Sequence, residues 1–138
     1  MAALWKSTTL SISIGCSPKG VYEFVSNGEN LPKWAKTFCL SVKRSQSEWL
    51  VETPQGPVRI RLAQRNEFGV ADHTVTPASD ATLFVPMRVV PNGDGSELLF
   101  TLFQQPDMSD ERYAKDIQLV QQDLETLKRI METSSIRS

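Results

Sequence analysis

Leu10, Ile12 and Ile14 alternate with Thr9, Ser11 and Ser13, a period of two that predicts a half-buried strand over 8–14 with its even positions inward. Ser17-Pro18-Lys19 then opens a helix: serine caps free N–H groups, and proline suits the first turn, where its missing N–H costs nothing. Val21, Tyr22, Phe24 and Val25 supply its apolar face, and Asn27-Gly28 ends it. Leu31, Trp34 and Ala35 at helical spacing predict a second short helix over 29–36. From Phe38 the period returns to two, with Phe38, Leu40 and Val42 alternating with Cys39, Ser41 and Lys43. Trp49-Leu50-Val51 follows a polar turn. After Pro54-Gln55-Gly56-Pro57, Val58, Ile60 and Leu62 alternate with Arg59, Arg61 and Ala63. Two more strands are predicted over 68–76 and 82–90. Asn92-Gly93-Asp94-Gly95 is a strong hairpin signal leading into a last strand over 97–104.

The remaining segment has helical period. Ser109 caps it, Asp110 and Glu111 sit in its first turn, and Lys128 and Arg129 lie toward its end, all matching the helix dipole. Tyr113, Ile117, Val120, Leu124, Leu127 and Met131 form one apolar stripe. The polar tail from Thr133, and residues 134–138 above all, is expected to fray. The order is therefore strand, two short helices, six strands and a long helix. Six strands joined by short turns form an antiparallel meander, whose apolar face must be covered. Only the C-terminal helix is long enough to cover it.

With 138 residues there is room for one substantial core, so a single domain over 1–138 is expected. Lys plus Arg is 15 and Asp plus Glu 16, which removes any general electrostatic pull toward nucleic acid. Two cysteines, Cys16 and Cys39, are too few for a disulfide scaffold or a zinc ribbon. No apolar run is long enough to span a bilayer, and the first residues lack the apolar stretch of a secretory signal. A cytoplasmic protein is the expectation.

Ser17-Pro18, the stretch Glu29-Asn30-Leu31-Pro32-Lys33-Trp34, the segment from Asp72-His73-Thr74 through Val85-Pro86-Met87-Arg88 to Asn92-Gly93, and the closing Asp123-Leu124-Glu125-Thr126-Leu127-Lys128 together resemble the SRPBCC superfamily. This is the START-like, helix-grip group of polyketide cyclase/dehydrase-like and birch-pollen-allergen-like proteins. The resemblance covers roughly residues 8–132. It implies an α+β helix-grip fold: a seven-stranded curved antiparallel sheet wrapped around the long helix, two short helices between strands 1 and 2, and a cavity between sheet and helix. A fold hosts many activities, so the resemblance leaves function open.

Candidate chemistry is sparse. Glycine-rich phosphate loops, G-x-S-x-G, H-E-x-x-H and C-x-x-C are all missing, and a single histidine, His73, excludes a multi-histidine metal site. Neither a metal nor a cofactor is expected. Adjacent side chains on a strand face opposite ways, so Asp72 and His73 do not form a dyad. His73 shares parity with Ala71 and Val75, the apolar side. It is then either a cavity-facing anchor or acid–base group, the only catalytic candidate, or a core histidine satisfied by a backbone carbonyl or water. Arg59, Arg61 and Arg88 fall on the polar parity, where Asp72 can pair with one of them. A bulge at Pro86 would instead turn Arg88 inward as a carboxylate anchor. Cys16 and Cys39 read as passive packing residues, and Trp5 has no evident burial partner.

Trp34, Phe38, Ile60, Val85, Met87, Phe100 and Leu102 are candidates for the sheet and loop side of a cavity, and Tyr113, Ile117 and Val120 for the helix side. The same residues would otherwise fill an ordinary core. The leading expectation is binding of a lipophilic small molecule by Trp34, Ile60, His73, Met87, Phe100, Tyr113, Ile117 and Val120. A cyclase/dehydratase-type enzyme and a protein-interaction module with a filled core are the alternatives. The enzyme needs two polar groups converging in the cavity, and parity supplies only His73. A homodimer is the first oligomer to consider.

Overall fold

In the computed structural model, which describes residues 2–135, the chain runs β1 (Ser7–Ile14), α1 (Pro18–Val25), a 3₁₀ turn (Gly28–Asn30), α2 (Leu31–Trp34), β2 (Ser41–Ser45), β3 (Glu48–Thr53) and β4 (Gly56–Leu62). It continues through β5 (His73–Pro77), β6 (Leu83–Val85), β7 (Met87–Asn92), β8 (Gly95–Phe103) and α3 (Asp110–Ser135). Ser17 caps α1 by accepting from the Gly20 N–H at 3.1 Å, and Val21, Tyr22 and Val25 face the core. The helix expected over 29–36 is shorter. A 3₁₀ turn comes first, α2 starts at Leu31 with Pro32 in its opening turn, and Ala35 already leaves helical geometry.

The strands form two antiparallel sheets, ordered β1-β8-β7 and β2-β3-β4-β5-β6, rather than the single seven-stranded sheet expected. The eighth strand arises at Pro86, which has no N–H to give the ladder and divides the expected strand over 82–90. The Pro86 carbonyl still accepts from Thr101 N at 3.0 Å, so β6 and β7 stay nearly continuous. β6 pairs with β5 (Val85 opposite His73), whereas β7 pairs with β8 (Met87 opposite Phe100).

The expected strand over 68–76 is divided in the same way. Val89 N donates to Gly69 O at 2.9 Å and Ala71 N to Met87 O at 2.8 Å, so its first part lies along β7; only from His73 onward does it join the other sheet. Gly69 is obligatory here: its φ is +74° and a Cβ would stand 2.1 Å from the Val89 carbonyl oxygen. Asp72 bridges the handover by accepting from Met87 N at 2.8 Å.

Ser109 caps α3 through Arg112 N at 3.0 Å. The helix runs on to Ser135, taking in the start of the expected tail, so Lys128 and Arg129 are not in its last turn. The rest of the expected tail, 136–138, lies outside the described residues. Lys128 instead reaches the Ser13 carbonyl at 2.6 Å, while Glu132 accepts from Gly15 N at 2.8 Å and from Lys128 Nζ at 2.8 Å. These contacts clamp the second half of α3 to the end of β1. At the other end, the Tyr113 hydroxyl donates to Leu102 O at 2.8 Å and lies 2.9 Å from Thr8 Oγ1.

Two apolar clusters result. Ile14, Val21, Val25, Met87, Leu98 and Leu127 belong to the larger, between α1, the three-stranded sheet and the second half of α3. Cys39, Trp49, Val51 and Ile60 form a smaller one on the five-stranded sheet. Cys39, placed by alternation on a polar side, is buried there because β2 starts only at Ser41 and residues 37–40 form a turn and its exit. Leu40, expected inward, is correspondingly 62% exposed.

Candidate ligand cavity

The two clusters share only the partly buried Leu31 and Phe38 at their margins. Between them, under the first half of α3, lies a partly open cavity of about 230 Å³. Ile60, Leu62, His73, Val75 and Val85 come from the five-stranded sheet, Met87 and Phe100 from the other, and Leu31, Trp34 and Phe38 from the α2 region. Divergence of the sheets at the Pro86 break makes this space, and the α3 face above it carries Tyr113, Asp116, Leu119, Val120 and Asp123. Seven of the eight residues expected at a ligand wall line it: Trp34, Ile60, His73, Met87, Phe100, Tyr113 and Val120. Ile117 does not. The face that meets the cavity steps 113, 116, 120, 123, and each helical residue turns about 100°, which carries Ile117 to the edge of that face.

His73 faces inward, as alternation indicates, and packs edge-on against Phe100 with ring centroids 6.1 Å apart. Its Nδ1 lies 3.2 Å from the Ala71 carbonyl oxygen. A carbonyl only accepts, so Nδ1 carries the proton and Nε2 presents a lone pair. Burial pushes the imidazole pKa below its ordinary value, against smaller opposing effects of the Ala71 carbonyl and Asp72.

Arg88 is not a cavity residue. Its Nε and Nη2 donate to Asp72 Oδ1 and Oδ2 at 2.9 and 2.8 Å on the outer face, and half of its side chain is exposed. Pro86 interrupts the strand without reversing its facing, so an inward carboxylate anchor does not form.

The polar groups missed from sequence sit on α3. Asp116 and Asp123 fall at the same three- and four-residue steps as Tyr113, Val120 and Leu127, and that shared spacing is the signal that would have exposed them. Asp123 is 5% exposed and accepts from Thr37 N at 3.1 Å and Thr37 Oγ1 at 2.7 Å, pinning the loop after α2 to α3. Asp116 accepts from Arg112 Nε at 3.0 Å. Desolvation raises both carboxyl pKa values, with Thr37 opposing it at Asp123 and Arg112 at Asp116. Trp34, 4% exposed, carries the one buried side-chain polar atom without a hydrogen bond among the described residues, its indole Nε1.

Neither cysteine offers a nucleophile to this space. Burial pushes the Cys39 thiol up to about 11, and the Cys16 thiol donates to Met131 O at 3.2 Å. No group of acidic, histidine or cysteine side chains among the described residues is arranged to hold a metal ion.

The architecture is matched across nearly its whole length by solved structures. An uncharacterized protein from Bacillus thuringiensis superposes with a TM-score of 0.72 at 18% identity, covering 91% of this chain and 98% of its own. Ara h 8.0201, which is Bet v 1-like, superposes at 0.66 with 11% identity over 93% and 98% of the two chains. The chain has the helix-grip fold. A further helix-grip neighbour is Aha1 from Colwellia psychrerythraea, solved in solution as a dimer, at a TM-score of 0.72 and 14% identity over 92% and 96%. At the level of sequence, no family model and no curated protein matches. No helix among the described residues is long and apolar enough to cross a membrane.

Proposed function

We propose that this helix-grip protein binds a compact lipophilic small molecule in the cavity between its sheets and α3. The observation that carries the reading is the partly open, apolar space of about 230 Å³ bounded by Trp34, Ile60, Met87, Phe100 and Val120. That volume approaches the roughly 300 Å³ at which ordinary ligand pockets begin. Removing apolar surface from water supplies the binding free energy, at about 25 cal/mol per Å², and His73 orients the ligand. Free Cys16 and Cys39 fit a reducing cytoplasm. A homodimer is the oligomer to test, since Aha1 was solved as one.

A second reading draws on one observation: His73 and Asp116 line the same cavity, and burial shifts both. An enzyme of the cyclase or dehydratase type would use the imidazole as base and a carboxyl as acid on a reactive chain folded between them. Asp116 is engaged by Arg112 and Asp123 by Thr37, which ranks binding first.

Native mass spectrometry of the gently purified protein tests both readings. A discrete adduct, lost on denaturation and unchanged in mass on incubation, supports binding. An adduct that changes mass over time supports catalysis. A homogeneous bare chain that also takes up no added lipophile contradicts both.

A further inference from the structure

The polar atoms around the cavity define which lipophile it takes. His73 Nδ1 is committed to the Ala71 carbonyl, and Nε2 has no hydrogen-bond partner among the described residues. The imidazole edge on this apolar wall is therefore an unused acceptor. Cations are scarce there. Arg112 is the one lysine or arginine among the lining residues and is spoken for by Asp116; Arg88, the other candidate, is held outside by Asp72. Against Arg112 stand two lining carboxyl groups, Asp116 and Asp123. An anionic ligand would meet an acceptor and two acids against one unpartnered donor, Trp34 Nε1, whereas a neutral hydroxyl offers the donor that Nε2 lacks and can still accept from the indole.

We infer that the cavity selects neutral lipophiles bearing a hydrogen-bond donor, phenols or alcohols, over carboxylate lipids and over the same skeletons without the donor. This rests on the cavity being a binding site, with His73 Nε2 receiving the hydroxyl proton in a hydrogen bond and no proton transferred. An acceptor that the bound analogue would bury without a donor is what rejects that analogue.

The test is calorimetric or NMR titration at pH 7.5 with 1-naphthol, 1-methoxynaphthalene and 1-naphthoate, three probes on one ring system. The naphthol should bind about fivefold or more tighter than the methyl ether, as one buried hydrogen bond allows, and the naphthoate weakest. H73F should bind the methyl ether at least as well as the wild type does and lose the preference for the naphthol. Should H73F fold poorly, the wild-type order of the three probes decides alone. Equal binding of naphthol and ether, or naphthoate binding tightest, overturns the inference and leaves the cavity reading standing. Binding of none of the three at millimolar concentration overturns both.

Discussion

Asp72 grips Arg88 through both carboxylate oxygens, at 2.9 and 2.8 Å, on the outer face of the sheet while its neighbour His73 points into the cavity. The same carboxylate accepts from Met87 N just beyond the break at Pro86. Asp72 thereby satisfies the Met87 N–H where the segment before β5 passes from one sheet to the other. It also fixes the register that keeps His73 inward.

The two partners should not be equally important. D72A leaves the Met87 N–H without its acceptor and is expected to cost about 1.5–3 kcal/mol, as for hydrogen bonds to a charged group. R88A removes only the half-exposed partner and should cost about 0–1 kcal/mol. Urea denaturation of the two variants checks this; equal losses would contradict the bridging role of Asp72.

Much of this was legible in the chain. Alternation at Leu10, Ile12 and Ile14, the Ser17-Pro18 cap, the Asn92–Gly95 turn and the 109–131 stripe all lie where patterning places them, because local periodicity and capping are local physics. The division into two sheets was not legible. It depends on partners distant in sequence, Ala71 with Met87 and Thr101 with Pro86, although Pro86 itself was visible as the place for a bulge. For the site, apolar wall residues follow from parity, whereas Asp116 and Asp123 hide inside an apolar stripe and Ile117 leaves it by a rotation too small to read from spacing.

Trp34 offers a stability test of its own. W34A should cost about 3–5 kcal/mol, as for deletion of a large buried ring. W34F keeps most of the ring and removes a buried N–H that has no partner, which offsets about 1–3 kcal/mol of the lost packing. Its midpoint in urea should therefore stay close to wild type. A W34F loss as large as that of W34A would mean that the indole N–H is satisfied.

Stability should also depend on pH through His73. Burial holds its folded pKa below the ordinary 6.5, so the unfolded chain takes up a proton first as pH falls. The stability contributed by the neutral imidazole is complete above 6.5 and is lost as pH drops from there toward the folded value. Asp116 and Asp123 work the other way, since their raised pKa values add stability as pH falls toward 3.8. Asp72, lowered by its Arg88 hydrogen bond, loses its contribution only below 3.8. Between pH 7.5 and 5.5 the wild-type Tm should fall more than that of H73F. Parallel pH profiles would contradict a neutral buried His73.

The most direct measurement is a methyl NMR titration of the protein with 1-naphthol. Saturable shifts are expected at Ile60, Val85, Met87 and Val120, around the cavity, with the exterior Leu4 and Leu40 unmoved. Shifts confined to those exterior methyls, or none up to the solubility of the probe, would contradict a ligand cavity between the sheets and α3.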